Sequence, residues 1–126
     1  MKKLASILVP AYNEQNSILN VLIKLNEVFS GKYEYEIIVI NDCSTDGTKQ
    51  ILEENSNLYS KLINNNTNLG KGGSIKKGLE LSNGTYIFFQ DADNEYDPKD
   101  FEKFFYVIEN FKPDCIIGTR FMFTNY

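Results

Sequence analysis

The run Glu36-Ile37-Ile38-Val39-Ile40 passes without a break into Asn41-Asp42-Cys43-Ser44-Thr45-Asp46-Gly47-Thr48. Consecutive β-branched residues make a strand that is apolar on both faces, as a buried parallel strand covered by helices has to be. Behind it, Asp46 stands where a helix N-cap belongs, and a helix to about Asn55 turns Ile51 and Leu52 inward. Upstream, Ile18, Leu22, Leu25 and Phe29 recur at helical spacing on one face of a helix over residues 14–29. Gly31 supplies the left-handed residue expected to end it. Residues 4–9 precede that helix as a first strand, stopped by Pro10.

Downstream the alternation continues. Residues 61–63 read as a weak third strand, Gly70-Lys71-Gly72-Gly73 opens a helix to about Ser82, and residues 85–90 (TYIFFQ) form a fourth strand. Asp97-Pro98 begins a helix striped by Phe101, Phe104, Phe105 and Ile108, and Pro113 blocks it ahead of a fifth strand over residues 115–117. Strands and helices alternating through short joints mean βαβ units, since parallel neighbours need crossover connections. The expected fold is α/β with a mainly parallel sheet and flanking helices.

Composition narrows the function. The 126 residues include 13 basic and 17 acidic side chains, a net charge of −4, and the length fits one domain or part of one. No Lys/Arg stripe breaks the mild acidity, so nucleic acid is not an expected partner. There is no histidine. That excludes Ser-His-Asp and Cys-His hydrolysis, imidazole zinc sites and imidazole proton shuttling, and leaves carboxylates, amides, hydroxyls, backbone N–H groups or a hard metal ion. Cys43 and Cys115 are too few for a disulfide framework; each adjoins an expected strand and reads as a small buried free thiol in a reducing compartment. Neither a signal peptide nor a run of the ~20 apolar residues of a membrane span is present, so a soluble, cytoplasmic chain is expected. The apolar ending Phe121-Met122-Phe123-Thr124-Asn125-Tyr126 has nothing downstream to pack on. It points to a truncated chain and, with an unpaired sheet edge, to self-association.

In open α/β sheets, ligands bind beyond the carboxyl ends of the strands, and the polar clusters fall there. Asp91-Ala92-Asp93 follows the fourth strand. Two carboxylates at i and i+2 of an extended segment project to one side, and a hard divalent ion, Mg²⁺ or Mn²⁺, offsets their repulsion. Glu95 can add a third oxygen; an acidic solvated turn is the bland alternative, and Asp97 before Pro98 reads as a helix cap. Lys71, in a glycine-rich helix start, suits a phosphate, against a flexible turn with close helix packing. Asp42 invites a dinucleotide reading, but such a fold needs its glycines after the first strand, where Pro10-Ala11-Tyr12-Asn13-Glu14 stands. Asp42 can instead accept an N–H from a uracil or guanine edge while Tyr12 packs on the base. Asp46 is read as a helix cap, and Glu14 as a dipole partner or a ribose contact.

Taken together, VPAYNE (residues 9–14), IVINDCSTDGT (38–48), NLGKGGSIKKGL (68–79), QDADNEYDP (90–98) and IIGTRF (116–121) resemble the family 2 glycosyltransferases of the Rossmann-like GT-A fold, and within them the dolichol- or polyprenyl-phosphate hexosyltransferases. Thr119 replaces a usual serine, and Asn94 a usual apolar residue. The resemblance implies that Pro10, Ala11, Tyr12 and Glu14 line the base and ribose pocket, and that Asp42 binds the base. It puts Lys71 on the diphosphate, Asp91 at the nucleotide–sugar region, Asp93 and Glu95 on the metal, and Arg120 on a phosphate, that of the acceptor. It implies inverting transfer of a hexose from a nucleotide-diphosphate sugar, UDP-glucose or GDP-mannose in type, to a polyprenyl or dolichyl phosphate. The cofactor would be Mg²⁺ or Mn²⁺, and the longer protein would work at the cytosolic membrane face. Residues 1–126 would then be the N-terminal donor-nucleotide-binding part, binding nucleotide weakly and turning over little. Two rivals remain at this point: a phosphohydrolase or nucleotidyltransferase using the paired aspartates, and a non-catalytic nucleotide-binding or interaction module.

Overall fold

Strands β1 (Leu4–Ala11), β2 (Glu34–Asn41), β3 (Lys61–Asn64) and β4 (Tyr86–Phe89) lie in the order β3-β2-β1-β4, every pair parallel. The computed structural model describes residues 4–111; the expected fifth strand, Cys115, Arg120 and the apolar ending lie outside them. The chain steps outward from β1 to β2 through α1 (Ile18–Phe29) and on to β3 through α2 (Thr48–Glu54). It then returns over the sheet through α3 (Gly70–Leu81) to β4, on the far side of β1. Because βα crossovers are right-handed, reversing direction moves the helix to the opposite face. The two cores agree: Leu22, Leu25 and Phe29 of α1 and Leu52 of α2 pack with Ile7, Val9, Ile37 and Val39, while Ile75 of α3 packs with Leu8, Ile38 and Ile40. The strand order thus reverses between β1 and β4, and a crevice opens there at the carboxyl ends of the strands.

Pro10 does not stop β1, which runs on to Ala11 in register with Asn41. The Asp42 N–H donates to the Ala11 carbonyl and the Gln90 N–H to the Leu8 carbonyl, so odd residues of β1 face β2 and even ones face β4. Pro10 faces β4 just past its last residue, where its missing N–H disrupts little of the ladder. Helix α1 begins at Ile18 rather than Glu14; residues 14–17 form a turn in which the Glu14 carbonyl accepts from the Ser17 and Ile18 N–H groups. Cys43 is not the buried core residue expected. It is half-buried at φ 61°, its thiol donating to the Asn66 carbonyl at 3.6 Å, and it is a free cysteine.

A 3₁₀ turn (Pro98–Asp100), capped by the Asp97 carboxylate accepting from the Lys99 N–H at 3.0 Å, leads into α4 (Phe101–Phe111). Its stripe lands on α1: the Phe29 ring packs edge-on against Phe88, Phe101 and Phe105, with centroids 5.1 to 5.7 Å apart. On the other face Gly78 lets α3 approach the sheet, because a Cβ there would lie 2.9 Å from Ile40 Cδ1 and 3.2 Å from Leu8 Cδ2.

Candidate functional site

Four loops leave the carboxyl ends of the strands, and each carries a residue with positive φ: Asn13 after β1, Cys43 after β2, Gly70 after β3 and Asn94 after β4. Left-handed residues turn the chain sharply off a strand, and where they are not glycine they store strain of a kind that gathers at functional sites. The first two loops are laced together. Asn13 donates its N–H to Ser44 Oγ and accepts the Thr45 N–H at 2.8 Å. The Glu14 N–H donates to Thr48 Oγ1, and the Gln15 side chain accepts the Gly47 N–H. The N-cap of α2 is Gly47 rather than the expected Asp46, whose carboxylate, one residue earlier, accepts from the Thr48 N–H and hydroxyl at 2.9 and 2.6 Å. Burial opposes its charge, but these bonds and that from the Gln15 N–H prevail and hold its pKa below the ordinary aspartate value. Beside this lacework Tyr12 stands 47% exposed, and the Glu14 carboxylate lies 3.2 Å from Ser17 Oγ.

Asp42 is only 4% exposed. Its carboxylate accepts from the Leu69 N–H at 2.7 Å, the Gly70 N–H at 2.9 Å and Asn65 Nδ2 at 2.9 Å, and Asn65 also donates to the buried Ser74 of α3. Burial by itself would raise the Asp42 pKa. The bonds from Leu69, Asn65 and Gly70, helped by the nearby Ser74 hydroxyl, outweigh it and leave the carboxyl below its usual range. Part of the anion-attracting start of α3 is therefore filled by the chain's own carboxylate. Within the Gly70-Lys71-Gly72-Gly73 segment a Cβ on Gly73 would lie 2.8 Å from Leu69 Cβ, whereas one on Gly72 would meet nothing within 4 Å, and the close approach to the sheet falls at Gly78.

The acidic segment beyond β4 is a turn, not the extended stretch the i, i+2 reading assumed, with Asn94 at φ 63° and Asp93 accepting the Glu95 N–H at 3.0 Å. Asp93 is exposed and the Asp91 side chain is 25% exposed, while Ala92 between them is buried. Three contacts anchor the turn: Gln90 Nε2 bonds the Asp91 and Tyr96 carbonyls, Ser17 Oγ bonds the Ala92 carbonyl, and Asn20 bonds Asn94. Lys71, at the start of α3, reaches across to Asp91, with Nζ 2.5 Å from Oδ1. Two motifs twenty residues apart in sequence thus meet at the crevice. Among the described residues no group of three or more acidic or cysteine side chains converges as a ready-made metal cage, so Glu95 does not complete a preassembled set. The donors do suit Mg²⁺ or Mn²⁺. They are all oxygen, and such ions take one or two carboxylates and fill the remaining positions with water and phosphate.

Sequence reading missed the residues that hold this edge in shape: Asn13, Ser17, Asn65, Ser74 and Gln90. Only their polarity in or beside otherwise apolar segments marks them, and the partner of each except Gln90 is brought near by folding.

An all-parallel sheet with a strand-order reversal defines a doubly wound α/β domain, here of the GT-A type. The chain belongs to glycosyl transferase family 2, whose model matches residues 6–125. It is 38% identical over 91% of its length to a dolichyl-phosphate β-glucosyltransferase of Dictyostelium discoideum, of which it spans 39%. The S. aureus TarS structure in complex with UDP-GlcNAc superimposes with a TM-score of 0.74 at 30% identity, covering 90% of this chain and 33% of TarS 1–349. The mannosyltransferase PcManGT of Pyrobaculum calidifontis, in complex with GDP-Man and Mn²⁺, shares the fold at a TM-score of 0.59 and 23% identity, covering 81% of this chain and 31% of its own.

Proposed function

We propose that residues 1–126 form the donor-nucleotide-binding part of an inverting hexosyltransferase that takes a UDP- or GDP-linked sugar and delivers the hexose to a polyprenyl or dolichyl phosphate. The observation that carries the reading is the meeting of Lys71 and Asp91 at the crevice between β1 and β4, which puts a cation and a carboxylate where a diphosphate-bearing donor would lie. The likeness to a dolichyl-phosphate β-glucosyltransferase supports the acceptor class.

In this reading Tyr12 packs on the base, with Pro10, Ala11 and Glu14 lining the base and ribose pocket. Asp42 accepts a base N–H with acceptor capacity left over from its internal bonds, since a carboxylate offers about four lone-pair sites. Lys71 faces the diphosphate, Asp91 the nucleotide–sugar junction, and Arg120 the acceptor phosphate. Asp93 and Glu95 would hold Mg²⁺ or Mn²⁺, which supplies charge neutralisation at the leaving diphosphate. An acceptor phosphate oxygen attacks the anomeric carbon from the face opposite the diphosphate, the new C–O bond forms as the old one breaks, and the nucleoside diphosphate leaves. The attacking phosphate is already ionised near neutral pH, so no general base has to take a proton. The pocket contributes alignment of donor and acceptor.

Calorimetric titration of UDP-, GDP- and dTDP-sugars, with and without Mn²⁺, tests this. Binding strengthened by Mn²⁺ in the parent chain, and a loss of that strengthening in Asp93→Ala, is expected. Nucleotide binding that ignores both the metal and the substitution would return the chain to the class of non-catalytic modules.

A further inference from the structure

Lys71 and Asp91 are both candidate site groups, yet each occupies the other. Their supports are independent. The start of α3 is tied down by Asp42 through the Leu69 and Gly70 N–H groups, and the acidic turn by Gln90, Ser17 and Asn20. The ion pair therefore spans two anchored loops and can open by side-chain rotation without moving either backbone. It is also reachable: the Lys71 side chain is 60% exposed and that of Asp91 25%. An ammonium group at this distance satisfies the carboxylate electrostatically, standing in for a cation, and while it does so it is withheld from a phosphate.

We propose that Lys71 is the resident counter-cation of the acidic turn: by neutralising Asp91 it competes with a divalent metal ion at the neighbouring Asp93 and Glu95, and a nucleoside diphosphate that draws the lysine away relieves that competition. The proposal rests on the nucleotide-sugar reading of the site and adds a rule of assembly to it. Metal and diphosphate each bind better in the other's presence, because one side chain changes partner. Linkage makes the effect reciprocal, so the factor by which diphosphate strengthens metal binding is the factor by which metal strengthens diphosphate binding. An accessible ion pair contributes modestly, so the share due to Lys71 is about two- to fivefold.

A metal bridging to a phosphate would itself couple the two ligands, so the discriminating measurement uses metal alone. Free Mn²⁺ is followed by electron paramagnetic resonance in titrations of the parent chain, Lys71→Met, Lys71→Arg and Lys77→Met, with folding checked by circular dichroism. Lys77 is an exposed lysine of the same helix, and its removal takes away the same charge without touching the pair. Lys71→Met is expected to bind Mn²⁺ about two- to fivefold more tightly than the parent, while Lys71→Arg and Lys77→Met stay at the parental value. Unchanged or weaker Mn²⁺ binding by Lys71→Met overturns the proposal, as does an equal gain in Lys77→Met. UDP and GDP are titrated into the parent chain in parallel. Absence of nucleotide binding with the Lys71→Met shift intact removes the proposed function but not the lysine–metal competition. Nucleotide binding without that shift removes the competition alone.

Discussion

Asp42 carries three internal bonds on one carboxylate at 4% exposure, and that makes it the residue on which the β3–α3 loop depends. Asp42→Asn replaces an acceptor with a group that presents N–H to N–H. A loss of about 2 kcal/mol at pH 7 is expected, the scale of hydrogen bonds to a charged group that has lost its charge, read from the urea midpoint. The sign of the pH dependence follows from the depressed folded-state pKa. The stabilisation is present above the unfolded value near 3.9 and disappears as pH falls through the folded value, so the gap between parent and variant should narrow as the medium is acidified below the unfolded value. At this scale the sequence was legible for identity and silent about partnership. Asp42, Lys71 and Asp91 stand out by type and position. That Asp42 would latch the β3–α3 loop, or that Lys71 would lie on Asp91, depends on distances that no spacing along the chain contains.

At the level of elements, periodicity tells which residues of a long apolar face turn inward, as in α1 and α4, but it does not fix where those helices begin. The starts shift where polar residues decide, as at residues 14–17. Glycines separate the two kinds of constraint. A Cβ on Gly84 would lie 2.4 Å from Ser6 Oγ, 2.7 Å from the Ser6 backbone nitrogen and 2.8 Å from the Tyr86 carbonyl oxygen, at the entry to β4. Backbone atoms cannot yield cheaply, so Gly84→Ala should cost about 2 kcal/mol and lower the thermal midpoint. Gly72 lies in the first turn of α3 with open space around its missing side chain. Gly72→Ala is therefore expected to raise stability by about 0.5 to 1 kcal/mol through helix propensity, which the same melting experiment reads in the opposite direction.

Across the whole molecule, Phe29 joins α1, β4 and α4 in one aromatic cluster. Phe29→Ala should remove about 4 kcal/mol, a large part of the 5–15 kcal/mol expected of such a domain. The variant should lose its near-ultraviolet circular dichroism at a much lower urea concentration than the parent. What the sequence determined by itself was the α/β class, the parallel sheet, and the placing of polar clusters after each strand. These follow from local periodicity and from the rule that parallel strands need crossovers, both of which operate over a few residues at a time. Only the tertiary structure decided the strand order β3-β2-β1-β4 and the face taken by α3. It alone curled the acidic segment into an anchored turn and brought Lys71 against Asp91. Those outcomes depend on which surfaces meet after the chain reverses direction over the sheet, a long-range packing choice that no local pattern encodes.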